Sequence, residues 1–210
     1  YAKLLVNLLR IDYEKPEEPK STFQDVTAEE AYINEINAVT KLGYMSGISE
    51  KLFAPDQKMT LIQAEKTILD LMGYKTLIAL GGGFPEGYRK YAQELGLTKG
   101  ITTGINDFLT QGDLAKLVYN ALDAKTLNLD VDSEKQSMST DSENTFMTKV
   151  LKMDRIEGIL TDNGITGLYQ QSEITKDYIL VDQKRIKMNE KTEYVRDELG
   201  RDLICYVTDD

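Results

Sequence analysis

Tyr1-Ala-Lys-Leu-Leu-Val-Asn-Leu-Leu9 returns 113 residues later as Leu114-Ala-Lys-Leu-Val-Tyr-Asn-Ala-Leu122, with Ala, Lys, Leu, Asn and Leu at the same five places. Two further pairs fall into step with it. Leu42-Gly-Tyr-Met-Ser-Gly-Ile48 matches Leu95-Gly-Leu-Thr-Lys-Gly-Ile101 at an offset of 53, and the helix-opening threonines Thr60 and Thr110 lie 50 apart. Three copies of a unit of about 50 residues, the first reduced to its last helix, account for all three spacings. A unit of that length cannot bury its own apolar stripe, so the copies are expected to pack on one another.

Each copy reads as helix, Gly-rich loop, helix. Thr27-Ala-Glu-Glu30 has the form of a capping box, and Ile33, Ile36, Val39 and Leu42 follow at three-residue steps as one apolar stripe that Gly43 closes. Thr60-Leu-Ile-Gln63 is a second capping box, opening a helix whose Leu61, Ala64, Ile68 and Leu71 run on to Gly73. Pro85 stands at a helix start, with Tyr88, Tyr91, Ala92 and Leu95 predicted to face inward before Gly96. Thr110-Gln-Gly-Asp113 caps the last helix, whose core face is Leu114, Leu117, Val118, Ala121 and Leu122.

After Asp123 the character changes. Asn128 to Asn144 carries five acids against one lysine and reads as an exposed linker. Strand patterns follow over Asp154–Thr161, Ile165–Gln170, Tyr178–Asp182, Arg185–Met188 and Asp202–Thr208, with Asn163-Gly164 as a hairpin turn and a short helical turn over Glu193–Gly200. The expected fold class is therefore α+β with more than one domain: an all-α bundle followed by a small all-β barrel or roll. The expected boundaries are 1–125 for the repeats (1–14, 22–74 and 84–124), 126–146 for an acidic linker, and 147–210 for the β domain.

Composition narrows the function. A formal net charge of −10 is wrong for a nucleic-acid surface and for an anionic membrane, and no apolar run reaches membrane-span length. The chain has no histidine, which removes His-based triads, His metal sites and His general bases. Its one cysteine, Cys205, sits in Leu203-Ile-Cys-Tyr-Val207 and reads as a core thiol in a buried strand. Opening at Tyr1 without a signal peptide, the chain reads as a processed or trimmed fragment.

Phe23-x-Asp25-Val26, then Ile36, Gly43, Gly47, Phe53-x-Pro55 and Thr60, followed in the next copy by Gly81-Gly-Gly-Phe-Pro-Glu-Gly-Tyr88, Gly96-Leu-Thr-Lys-Gly100 and Leu109-Thr-Gln-Gly-Asp113, resemble S-layer homology repeats of the divergent kind found in Firmicutes surface proteins. The resemblance covers roughly residues 1 to 124. It implies a pseudo-threefold helical bundle that binds secondary cell-wall polysaccharide, often pyruvylated, at the Gram-positive cell wall or S-layer, with no cofactor and no catalysis. A pyruvyl carboxylate calls for an arginine fork, backbone N–H donors at a helix start and an aromatic platform. The family supplies the arginine second in a Thr-Arg-Ala-Glu-like motif and a tryptophan at the first helix. Here the arginine positions hold Leu61 and Gln111, the motif acid is Gln63 in one copy and Asp113 in the other, Ala31 stands at the tryptophan position, and the chain has no tryptophan.

By that correspondence the candidate polymer-binding residues are Thr60, Gln63, Thr110, Gln111, Gly112, Asp113 and Tyr88. Four of them have a plainer alternative: Thr60 and Thr110 as helix caps, Gln111 as a solvated first-turn residue, and Tyr88, like Tyr91, as packing at the rim of the core. Gly81-Gly-Gly83 lacks the Gly-Lys-Ser/Thr ending of a phosphate loop and reads as a connector. Asp130-x-Asp132-x-Glu134 lacks the glycine and terminal acid of a calcium loop, and the adjacent pairs Glu17-Glu18 and Glu29-Glu30 do not converge as a general acid and base. The sequence leaves three functions open: wall attachment, a structural or assembly module in contact with other surface-protein subunits, and the targeting arm of a surface hydrolase whose catalytic domain lies elsewhere.

Overall fold

A computed structural model describes residues 1–129 and 138–208. The described chain divides into two units, Tyr1–Leu151 and Lys152–Asp210. The first holds six helices: α1 (Ala2–Leu8), α2 (Ile33–Lys41), α3 (Leu61–Leu71), α4 (Lys75–Leu80), α5 (Glu86–Glu94) and α6 (Gln111–Ala121). It closes with the strands β1 (Lys125–Leu129) and β2 (Met138–Thr145) and one wide helical turn, Phe146–Val150.

The helix ends follow the sequence signals closely at α3 and α6. Thr60 has extended backbone, and its amide donates to Gln63 Oε1 at 2.9 Å, as a capping box requires. Thr110 has nearly the same backbone angles, and its Oγ accepts from the Asp113 amide. After α2, Gly43 N–H donates to Thr40 O and Tyr44 N–H to Val39 O; after α5, Gly96 does so to Gln93 O and Leu97 to Ala92 O. Both are Schellman turns, and both glycines take the left-handed conformation, φ 74° and 71°, that a β-carbon would oppose.

α1 and α2 share one core, in which Leu5, Val6, Ile33, Ile36 and Val39 are buried. α3 packs on α5 and α6, burying Leu61, Ile62, Ala64, Ile68 and Leu69. The two helix starts are tied through backbone. Thr60 bridges Phe108, Leu109 N–H donates to Met59 O, and the Leu61 and Ile62 amides donate to Asp107 O and Ile105 O.

Several expectations do not hold. The capping-box reading of Thr27–Glu30 fails: α2 begins at Ile33, and Thr27 and Glu30 instead close a turn through their backbones, Glu30 N–H to Thr27 O. Leu42, assigned to the inner stripe, is 50% exposed because the helix has ended there. α4 had no clear signal, being six residues without a cap.

The stretch 126–146 read as a linker is largely strand in its described part. β1 pairs antiparallel with β2, Thr126 and Leu127 are buried, and Leu127 N–H donates to Met72 O. The contact Phe146 N–H to Ala124 O joins it further to the helical unit. The acid count pointed to solvent, but the buried residues flanking the acids hold the hairpin down. Asp130, Asp132 and Glu134 lie outside the described residues.

The second unit is an open antiparallel sheet, not a barrel or roll, among the described residues. It comprises β3 (Met153–Asp162), β4 (Tyr178–Val181), β5 (Lys184–Lys187) and β6 (Asp202–Thr208), in the order β5-β4-β3-β6, with a 3₁₀ helix at Glu190–Glu198. Ile165–Gln170 forms no strand; only the bridges Asp162–Gly167 and Thr166–Gln171 occur there. The chain is spent instead on a tight turn. Asp162 accepts from Gly164 N–H, Ser172 Oγ and Glu173 N–H, and the buried Arg196 reaches the carbonyls of Asn163 and Lys176. Leu160, Ile179, Val181 and Ile186 form a small core with Cys205 half-buried beside it, and burial pushes that thiol's pKa up.

Candidate functional site

A cleft of about 730 Å³ opens in the helical unit. Its floor follows from the Phe-x-Asp-Val and Phe-x-Pro segments. Asp25 accepts from the Phe53 amide at 2.9 Å and the Ala54 amide at 2.7 Å, and the rings of Phe23 and Phe53 meet at 5.4 Å. Those amide bonds, Phe53 first, hold the Asp25 carboxyl below the usual carboxylate range. The segment that follows, Ala54 to Met59, is thereby fixed as one wall.

The facing wall is a polar stripe along α3. Gln63, Lys66, Thr67 and Asp70 all line the cleft, at the i, i+3, i+4, i+7 spacing of one helix face. Lys66 Nζ lies 2.6 Å from Asp70 Oδ2, and Tyr88 from α5 donates to Asp70 Oδ1 at 2.6 Å. Tyr88 itself is only 5% exposed, and burial raises its pKa. Phe84 stands at the rim, edge-on to Tyr88 at 6.1 Å.

The charge of the cleft opposes that of the chain. Lys3, Lys58, Lys66 and Lys75 line it against two acids, Glu30 and Asp70, in a protein of net charge −10. Lys3 lies over the Tyr32 ring at 5.2 Å, and Lys58 over Phe108 at 5.4 Å. Cations fixed beside aromatic faces suit a ligand with anionic groups on a ring-shaped, partly apolar body.

The structure brings together only part of the predicted set. Gln63 lines the cleft, but its Oε1 is occupied by the Thr60 amide. Tyr88 does not line the cleft; it is buried and donates to Asp70, which does. Thr60 is a cap. Thr110, Gln111, Gly112 and Asp113 stand at the start of α6, outside this cleft. There Asp113 accepts from Thr103 Oγ at 2.6 Å and Thr110 Oγ at 2.7 Å, so its carboxylate, held below the usual range by those hydroxyls, is committed to the fold. The lysines stand outside the family motif, whose cation position holds Leu61 and Gln111 in this chain. The recurring Gln63-Lys66-Thr67-Asp70 spacing was the available signal.

Glu65 lies on α3 among the core positions and is 2% exposed, with no partner for Oε2. Burial pushes its pKa up to about 7, opposed by the Arg89 guanidinium. Among the described residues no cluster of His, Cys, Asp and Glu could hold a metal, and no helix is long and apolar enough to cross a membrane.

Comparison with known proteins agrees with the resemblance over residues 22–65, which the model of the S-layer homology domain matches. A "Cell surface protein" of Thermoanaerobacter kivui is 34% identical over 104 residues, 50% of this chain and 13% of that protein. A "Middle cell wall protein" of Brevibacillus brevis is 27% identical over 138 residues, 63% of this chain and 12% of that protein. The chain thus spans a small part of the length of these relatives. No solved structure matches it.

Proposed function

We propose that this chain is a non-catalytic attachment module of a cell-surface protein, and that its helical unit takes an acidic secondary cell-wall polysaccharide into the lysine-lined cleft. The observation that carries this is the reversal of charge: four lysines and exposed aromatic edges converge on one cleft of an otherwise acidic chain. Such a cleft draws anionic polymer toward it against the field of the whole molecule. Lys3, Lys58 and Lys75 take the part that arginine plays in the family, as point charges rather than forks, so a single sugar is held less specifically.

The matching Schellman turns at Gly43 and Gly96 and the matching caps at Thr60 and Thr110 support a pseudo-threefold arrangement of repeats over 1–14, 22–74 and 84–124. The names of the two relatives support a location at the cell surface or wall. Pyruvylation of the polymer and a place in an S-layer are part of the same proposal.

A second function, structural packing or assembly without polymer, is favoured by the start of α3. The helix-start amides that would face an anion, Leu61 and Ile62, are bonded to Asp107 O and Ile105 O. The two are separated by Lys58→Glu with Lys75→Glu, both exposed side chains of the cleft. Polymer binding in the cleft predicts that purified wall polysaccharide binds the native chain in a salt-sensitive way and fails to bind the double variant. Equal binding by both proteins would refute the cleft as the site.

A further inference from the structure

Asn163-Gly164 is the one Asn-Gly pair in the chain. Such a pair can react with itself. Once solvent base has taken the glycine N–H proton, that nitrogen bonds to the asparagine Cγ as ammonia leaves, closing a five-membered succinimide. Water then opens the ring at either carbonyl and leaves aspartate or its isoaspartyl isomer, with no electrons gained or lost. Glycine favours the attack because no β-carbon crowds its nitrogen.

The turn that follows β3 holds each participant back. The attacking Gly164 N–H donates to Asp162 Oδ1 at 2.8 Å, and the negative charge of that acceptor opposes removal of the proton. Asn163 Oδ1 accepts from the Ile165 and Thr166 amides, both at 2.9 Å, while its Nδ2 donates to Arg196 O at 3.0 Å. Bonds at both ends of the side-chain amide fix its plane, so Cγ cannot turn its face to the Gly164 nitrogen while they last. Asp162, Asn163 and Arg196 are all buried, which keeps out the water that the reaction needs. Arg196 closes the arrangement through the carbonyls of Asn163 and Lys176.

We propose that Asn163 is a covalent modification site gated by this turn: inert while the turn is closed, deamidated when it opens, and unable to close again afterwards. The last property follows from the product. Either product carries a carboxylate in place of the Nδ2 donor, so Arg196 O loses its partner and faces an anion beside the buried Asp162. The isoaspartyl form also adds a methylene to the backbone ahead of Gly164. There φ is 77°, and Tyr178 O and Thr175 O stand 2.6 and 3.0 Å from where a β-carbon would lie, so the chain has no room to shift. An opening of the sheet unit is thereby recorded in a permanent bond.

Deamidation is slow beside local opening, so its rate follows the equilibrium population of the open turn. Peptide mass spectrometry of the 210-residue chain, held in mildly alkaline buffer with and without unfolding urea, reads the acid formed at Asn163. The folded chain should convert about 100-fold more slowly than the unfolded one, or slower still. Arg196→Met loses both carbonyl ties and should convert about 30-fold faster than the native chain. Ser172→Ala, a milder change that removes one donor to Asp162, should convert about 5-fold faster. Asn163→Asp, which carries one product from the start, should unfold its sheet unit at lower urea than the native chain, read by amide exchange. A folded chain that converts as fast as the unfolded one, a Ser172→Ala or Arg196→Met chain no faster than native, or an Asn163→Asp chain as stable as native would overturn the gate.

Discussion

Glu65 makes the stability of the helical unit depend on pH in an unusual direction. Its side chain is 2% exposed and lies on the core stripe of α3 between Leu61, Ile62 and Ile68, Leu69. A carboxylate there loses its hydration, and the attraction of Arg89 restores only part, so the pKa in the folded protein is about 7 against 4.5 in the free side chain. The folded state therefore holds a proton that the unfolded chain has released. The stabilisation by that proton is full below pH 4.5 and is lost as pH rises through 7. At 1.36 kcal/mol per pH unit, the 2.5-unit difference is worth about 3 kcal/mol. Glu65→Gln keeps the shape and cannot ionise. Urea unfolding followed by circular dichroism at 222 nm, where the helices dominate, should show the native unit losing about 3 kcal/mol between pH 5 and 8 relative to the variant. At pH 8 the variant should be the more stable protein. Parallel pH dependences for the two proteins would refute the assignment of a buried, proton-binding Glu65.

Three further outcomes follow from single contacts. Tyr88→Phe removes the donor to Asp70 and should cost about 1 kcal/mol in urea unfolding while leaving polymer binding unchanged, because Tyr88 is not among the residues that line the cleft. Asp113→Ala releases the Thr103 and Thr110 hydroxyls and should lower the melting temperature at neutral pH. Since the native carboxyl is held below its ordinary value, its contribution is present above pH 3.8 and fades as pH falls through the folded pKa, so native and variant melting curves should converge in acid. Arg196→Met breaks the ties to the Asn163 and Lys176 carbonyls and should destabilise the sheet unit by about 2 kcal/mol without altering the melting of the helices, read separately by amide exchange.

What could be read from the sequence was set by how local its cause is. The caps at Thr60 and Thr110 and the turns at Gly43 and Gly96 are decided within five residues, and the repeat spacing fixed their order. β3, β4, β5 and β6 lie near the strand runs read from the sequence, but β6, read as a buried strand, is a half-exposed edge strand. The failures were decided from a distance. Thr126 and Leu127 are buried, Leu127 through its amide bond to Met72 O and Thr126 through its hydroxyl on Asn144 O, and these ties outweigh the acids beside them. The Ile165–Gln170 run is apolar enough for a strand, but Asp162 and Arg196 fold it into a turn. At the candidate site, Gln63 was found because its motif position is local. The lysines converge from α1, the Ala54–Met59 wall, α3 and α4, and no single segment shows that convergence.

The central claim is attachment to a wall polymer, and sedimentation with native Gram-positive sacculi tests it most directly. The purified chain should sediment with sacculi and stay in the supernatant once hydrofluoric acid has stripped their secondary polysaccharide. A chain that sediments with neither preparation, or equally with both, would contradict it.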